Sequence, residues 1–203
     1  MYDENSPILG VSPVDAERVA SYMLRTALGE YTEKDIRGVI VPTYFQFCAP
    51  LGVNPLLTIA QMIHETGNLT SFWAARPRRN PAGIGVNGRT QPDQPTDTTG
   101  WAFDPAMNQW RFGVSFATWD QDAIPAHVGR LLAYALSIGS ETPAQAAAIA
   151  RALTYRTFPD TMRGSAAVLR MLGRVHNPTG QGWASPGTDY GTKIAAIAAR
   201  IVQ

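Results

Sequence analysis

Acid chemistry has few places to reside in this chain of 203 residues, because only two glutamates, Glu65 and Glu141, follow residue 40. Glu65 ends a segment in which Leu56, Ile59, Ala60 and Ile63 recur at i, i+3, i+4 and i+7, the spacing of one helix face. At about 100° per residue, Glu65 lies opposite the Leu56, Ile59 and Ile63 stripe, with Leu57 and Met62 flanking its own side. The negative end of the helix dipole and partial desolvation both disfavour a carboxylate there, so its pKa is expected above the ordinary glutamate range. A carboxylic acid kept protonated near neutral pH can deliver its proton to the leaving oxygen of a glycosidic bond. The alternative is a solvated helix-end glutamate paired with Arg76 or Arg79.

A two-carboxylate glycosidase needs a partner for that acid, and the candidates are Asp93, Asp97, Asp104, Asp120 and Asp122. Asp120 and Asp122 suit helix caps, and Asp104 before Pro105 suits a turn. Asp97 has no evident structural task. Other chemistries fit poorly. His64-Glu65 lacks the second histidine that a zinc protease helix needs, since position 68 is Asn68, and His127 and His176 have no acidic cluster beside them. Neither a metal nor another cofactor is expected. Cys48, the single cysteine, sits between Phe47 and Ala49, where a thiol behaves as a small hydrophobe; it excludes an internal disulfide framework and a cysteine zinc site.

Phe72, Trp73, Trp101, Phe103, Trp110, Phe112, Phe116 and Trp119 crowd into a stretch rich in Gly and Pro that cannot build much regular core. Trp101, Trp110 and Trp119 are therefore candidates to line a groove in which flat apolar faces stack on sugar rings.

The elements that must hold these residues are mostly helical. Ser12-Pro13 starts a helix to about Leu28; Thr32 with Asp35 caps a second, which Pro42 bends and Pro50 ends; Asn54-Pro55 opens the third, closed by Gly67. Residues 67–117 alternate Pro and Gly and carry a hairpin, Trp101 to Asp104 and Gln109 to Phe116, turned at Pro105 to Asn108. Helices return near Asp120–Asp122 through Ile138, at Thr142-Pro143, over about Ser165 to Val175, and from Asp189 to the end, with Ile194, Ile197, Ala198 and Ile201 on one face.

This predicts one domain, residues 1–203, in the mostly α class: a helical lobe with a small irregular β-hairpin lobe inserted at 67–117. The net charge of +1 argues against nucleic acid as partner, and no stretch approaches the ~18 apolar residues of a membrane span. The first residues, Met1-Tyr2-Asp3-Glu4, lack the basic start of a signal peptide. An extracellular substrate would thus be reached through phage lysis, another export route or a larger parent protein.

Three segments together carry a family resemblance. Ala60-Gln61-Met62-Ile63-His64-Glu65-Thr66-Gly67-Asn68-Leu69-Thr70-Ser71 is similar to the A-Q-x-x-x-E-[ST]-G-x-x-x-S signature of glycoside hydrolase family 73, the bacterial and phage endo-β-N-acetylglucosaminidases related in fold to lysozymes. Asn80-Pro81-Ala82-Gly83-Ile84-Gly85 resembles its N-x-x-G-I-K, with glycine where lysine is common. Gly182-Trp183-Ala184-Ser185, then Asp189-Tyr190-Gly191-Thr192-Lys193-Ile194, resembles G-Y-A-T-D-x-x-Y-x-x-K-[IL], with an insertion at Pro186 and Gly187.

The resemblance implies a lysozyme-like α+β fold, a monomer acting at the bacterial cell wall on peptidoglycan glycan strands, and an endolysin-like bacteriolytic role. It makes Glu65 the general acid and adds Asn80 and Tyr190 to the groove. It also exposes a departure: the family's second carboxylate tends to be a glutamate in a T-x-E-[YF] stretch, where this chain reads Thr98-Thr99-Gly100-Trp101. Asp97 or Asp104 would have to take that role, or the substrate's N-acetyl group acts as nucleophile, or one acid suffices as in lytic transglycosylases. A muramidase, or a non-catalytic glycan-binding or phage structural module, are the remaining alternatives.

Overall fold

The computed structural model describes residues 1–203. Helix α1 is Ala16–Met23, α2 Glu33–Asp35, α3 Val41–Cys48 and α4 Pro55–Thr66; strands β1 Thr90–Gln91, β2 Trp101–Asp104 and β3 Gln109–Phe112 follow. The chain ends with α5 Ile124–Ala135, α6 Pro143–Tyr155 and α7 Tyr190–Val202. No helix is long and apolar enough to cross a membrane.

Local signals set α4 as expected. The Asn54 side chain accepts from Leu56 N–H and Leu57 N–H, Pro55 occupies the first turn, and Gly67 adopts the left-handed conformation (φ 57°) that ends the helix. Every residue of α4 is buried except His64 and Glu65. The helix lies against α3 and α7, and its apolar faces join a continuous core of 45 buried residues.

Prolines act differently from a simple kink. Pro42 and Pro125 each stand second in an α segment, directly after a π turn, Ile36–Ile40 and Trp119–Ala123. A proline ring has no N–H and crowds the carbonyl four residues back, and the widened turn accommodates both demands. Helix α5 then packs closely on α6. A Cβ at Gly129 would come within 2.3 Å of the Ala148 carbonyl, so only glycine allows this approach.

The structure corrects the expected extent of four segments. Helix α1 begins after Asp15, whose side chain accepts from Arg18 N–H, because Ser12 is engaged in a local turn onto the Val14 carbonyl; it stops at Met23, not Leu28. Helix α5 ends at Ala135, not Ile138. The 165–175 stretch forms only the 3₁₀ turns Leu169–Leu172 and Arg174–His176. Its backbone is drawn into tertiary bonds, with Ile8 N–H donating to Ala167 O and Leu169 N–H to Ser6 O. Strand β3 ends at Phe112 because the Trp73 ring occupies the space beside Gly113, 2.7 Å from where a Cβ would stand.

The small lobe is a three-stranded antiparallel sheet in the order β1-β3-β2, with Trp101 opposite Phe112 and Asp104 opposite Gln109. Strand β1, absent from the sequence reading, pairs Thr90 with Arg111. Cross-strand aromatic pairs hold the hairpin: Trp101 meets Phe112 edge-on at 5.2 Å, and Phe103 meets Trp110 at 5.6 Å. The whole is a helical body with a small β lobe, the α+β arrangement expected.

Candidate active site

Glu65 stands half-buried at the end of α4 and is in no ion pair. The alternative partners are engaged elsewhere: Arg76 pairs with Glu30 and Asp35, and Arg79 donates to the Pro77 and Phe116 carbonyls. Burial raises the pKa of Glu65 above the ordinary glutamate range, while a hydrogen bond from Tyr190 works against that rise. A methyl at Gly83 would lie 3.5 Å from Glu65 Oε2, so that oxygen faces the 82–84 loop.

Behind Glu65 runs a buried chain of side chains from four elements. The Tyr190 hydroxyl meets Glu65 Oε1 and also lies 2.8 Å from Gln61 Nε2; Gln61 Oε1 lies 3.0 Å from His127 Nε2; and His127 Nδ1 lies 2.8 Å from the Tyr44 hydroxyl. The direction of this chain follows from the acid. An ionised carboxylate only accepts, so Tyr190 donates to Oε1 and its oxygen takes a hydrogen from Gln61 Nε2. Gln61 Oε1 then accepts from His127 Nε2–H, leaving Nδ1 bare to accept from Tyr44. Burial pushes the His127 pKa down to about 3, which keeps the imidazole neutral as this pattern demands. With Oε1 held as an acceptor, Oε2 is the oxygen left free to carry a proton when the acid is neutral.

A hollow divides the two lobes. A cavity of about 530 Å³ is bounded by Gly85, Phe112 and Val114 of the β lobe and by Thr154, Tyr155 and Arg156 at the end of α6. A smaller pocket, about 70 Å³, adjoins it through Arg156 and is lined by Ala82–Ile84, Arg130, Tyr134 and Trp183. Gly83 thus connects this pocket with the Glu65 carboxyl.

The other sequence candidates take mixed positions. Asp97 is exposed, accepts from Thr99 N–H at 2.8 Å, and has its pKa lowered by that bond; it shares no hydrogen bond with Glu65. Asp104 is buried at the hairpin turn, where it accepts from Ala106 N–H and Met107 N–H and pairs with Arg111 at 2.8 Å. Burial works to raise its pKa, but Arg111 and the two N–H groups hold it below the usual range. Its oxygens are therefore engaged in fixing the turn.

Trp119 belongs to the core, not to a groove: it is buried and meets Tyr31 edge-on at 5.6 Å, because the π turn directs it inward. Trp101 and Trp110 remain half-buried on the hairpin. Asn80 is fully buried and braces the 80–84 loop, accepting from Ala82 N–H and Ile84 N–H and donating to the Ile84 and Val114 carbonyls. It therefore positions Gly83 and cannot reach a ligand. Tyr190 does join Glu65. Cys48 is buried with its pKa pushed up to about 12, an inert thiol as expected.

Sequence reasoning missed Tyr44, Gln61 and His127 as supports, and Arg130, Tyr134, Arg156 and Trp183 as pocket residues. Gln61 and Trp183 stood inside the quoted signature segments, a usable signal; the rest carry none that is local.

A carboxyl with a raised pKa, held from behind by an uncharged buried chain and lying next to the Gly83 loop between the lobes, has the groups that acid catalysis of glycoside cleavage requires. The glucosaminidase family, described as mannosyl-glycoprotein endo-β-N-acetylglucosaminidase, matches residues 41–202, and the chain belongs to that family of glycosidases. Among solved structures, Staphylococcus aureus autolysin E in complex with the muropeptide NAM-L-Ala-D-iGlu is similar at 14% identity and TM-score 0.49, over 99% of this chain and 72% of that one. The catalytic domain of the Listeria monocytogenes autolysin Auto is similar at 14% identity and TM-score 0.44, over 94% and 97% of the two chains. No curated protein sequence matches the chain significantly.

Proposed function

We propose that this chain cleaves the β-1,4 glycan strands of bacterial peptidoglycan at N-acetylglucosaminyl bonds, with Glu65 as general acid and its proton on Oε2. Family membership supports the reaction class. The observation that carries the assignment is the arrangement at Glu65: burial raises its pKa, Tyr190 fixes Oε1, and Oε2 lies next to Gly83, which lines the smaller interlobe pocket. In this mechanism Oε2–H protonates the leaving oxygen as the C1–O bond breaks. The resulting carboxylate keeps the Tyr190 hydrogen bond, which strengthens as charge develops on Glu65. A single chain supplies every group required, so the enzyme acts as a monomer at the cell wall.

The second catalytic role falls to the substrate. Asp104 is engaged in the hairpin, Asp97 is exposed with a lowered pKa, and no neighbouring carboxylate shifts the pKa of Glu65. The N-acetyl carbonyl oxygen of the sugar at the cleavage point then bonds to C1 until water attacks C1 and displaces it, the Glu65 carboxylate taking the water's proton. That same absence favours one further reading, a lytic transglycosylase, in which the muramoyl 6-hydroxyl attacks in place of water.

Digestion of purified cell walls tests both points. The expected products carry reducing N-acetylglucosamine ends; 1,6-anhydromuramoyl ends would replace hydrolysis by transglycosylation. Glu65→Gln keeps the shape and removes the proton, and the clearing rate is expected to fall by about 10²- to 10⁴-fold. Unchanged clearing would end the assignment of Glu65.

A further inference from the structure

Two arginines on the cleft wall have no anion to answer them. Arg130 on α5 and Arg156 just past α6 line the 70 Å³ pocket with Tyr134 and Trp183. Neither takes part in any of the protein's ion pairs, whose cations are Arg37, Arg76, Arg111 and Arg163. Arg130 is half-buried, its guanidinium 5.0 Å from the Phe158 ring centre and 6.0 Å from that of Trp183. Its protein partners are neutral: Nη1 donates to the Arg156 and Thr157 carbonyls at 3.3 and 3.5 Å, and the Tyr134 hydroxyl lies beside the guanidinium, so no carboxylate answers its charge.

Burial lowers the pKa of Arg130, and the Arg156 charge acts in the same direction. A half-desolvated cation facing another cation is unfavourable until an anion joins them. Elsewhere the fold supplies that anion: Arg163 has Glu141, and Arg111 has Asp104. Here the place is open, and one residue separates it from the acid: Gly83 lines the pocket and also lies next to Glu65 Oε2.

We propose that Arg130 and Arg156 form a carboxylate subsite beside Glu65 that receives the carboxylate of the substrate's N-acetylmuramoyl unit. Its source is the lactyl carboxylate in peptide-free strands or the first free carboxylate of a stem peptide. This rests on the peptidoglycan reading above for its substrate. Two guanidinium groups suit a planar carboxylate, which an N-acetylglucosamine unit does not offer. Because the two sugars alternate along the strand, seating the muramoyl unit here decides which of the two alternating β-1,4 bonds meets Glu65.

Titration calorimetry tests this with three soluble probes: the N-acetylglucosamine–N-acetylmuramic acid disaccharide, the same sugar with its carboxyl reduced to the alcohol, and the disaccharide carrying a stem dipeptide. The proteins are the wild type, Arg156→Gln, and Arg130→Gln combined with Arg156→Gln. Arg156 is exposed, so its single variant keeps the fold. The wild type is expected to bind the acid about 10- to 100-fold tighter than its reduced form. That ratio should fall in Arg156→Gln and approach one in the double variant. A dipeptide probe that keeps the preference assigns the stem carboxylate as ligand; one that loses it assigns the lactyl group. A ratio near one in the wild type, or a ratio indifferent to both variants, overturns the subsite. Failure of the wild type to release reducing ends from cell walls would refute the glucosaminidase reading separately, and the binding ratios would still judge the pocket.

Discussion

The two walls of the cleft are built on opposite principles. On the helical side, Glu65 is backed by Tyr190, Gln61, His127 and Tyr44, a buried chain in which each donor meets one acceptor. On the hairpin side, half-exposed aromatic pairs, the Arg111–Asp104 pair and the Arg89 guanidinium over Trp101 and Phe112 hold the lobe by local contacts. The first wall fixes one carboxyl oxygen, Glu65 Oε1, in place. The second is held by groups that water also reaches, and such contacts can rearrange around a polymer at small energetic cost.

Substitution of the acid probes the rigid wall most strongly. Beyond the activity loss stated above, Glu65→Gln should unfold at a higher temperature than the wild type at pH 7 and lose that advantage near pH 4. A raised folded pKa means that Glu65 contributes stability below the unfolded pKa, which is lost as pH rises through the folded value. Thermal melts across pH check this; an advantage independent of pH would mean that burial does not strain the ionised acid.

Trp119→Ala, a core change beneath the helical side, is expected to reduce stability by about 3–5 kcal/mol. Trp101→Ala, on the hairpin, should change it far less and instead raise KM for glycan strands. Denaturant titrations and kinetics compare the two, and similar stability losses would erase the contrast between the walls.

His127→Phe strands the Tyr44 hydroxyl and Gln61 Oε1, at about 1–3 kcal/mol for each unsatisfied group. It should also abolish part of the acid sensitivity. The folded His127 pKa of about 3 lies below its ordinary 6.5, so stability is complete above 6.5 and declines as pH falls toward 3. A wild type whose unfolding free energy shows the same slope in that window as His127→Phe would show that His127 is not held neutral.

Tyr190→Phe removes the bond that opposes the rise in the Glu65 pKa. The alkaline limb of the kcat/KM profile should move to higher pH, alongside a loss of rate from the freed carboxyl. A limb that stays fixed or moves down would contradict the direction of that bond.

Asp104→Asn is expected to have the smallest effect, about 1–2 kcal/mol of stability from loss of a partly sheltered pair and a weakened turn. Its catalytic rate on short glycan fragments should be near that of the wild type. A 10²-fold loss of kcat in a folded variant would instead return Asp104 to the chemistry.

Much of this contrast was legible in the residues themselves where its causes are local. Asn54-Pro55 and Gly67 set both ends of α4, and the helical spacing within it put Glu65 opposite the apolar stripe with the right sign of pKa shift. The hairpin follows from its two strand-like segments and the turn at Pro105 to Asn108, except that its second strand stops at Phe112 and not at Phe116. Legibility ended where a segment's backbone had a distant competitor, as at 165–175, which bonds to residues 6 and 8 instead of forming a helix. It ended also where a side chain's role depends on which way it points. Trp119 and Trp101 are alike in type and setting, yet the π turn directs one into the core and the hairpin leaves the other half-exposed.

By itself, then, the sequence determined the helix that carries the acid, the chemistry available to it, and the scarcity of carboxylates that leaves it without an obvious partner. Only the tertiary structure decided that Tyr190 holds Glu65 Oε1, that Asn80 and Asp104 serve the loop and the turn, and that Arg130 and Arg156 line one pocket without an anion. The physical reason is range. Capping, periodicity and turns act within a few residues, whereas the chain behind Glu65 joins positions 44, 61, 127 and 190, and the arginine pocket joins α5 to the loops at 82–84 and 182–183.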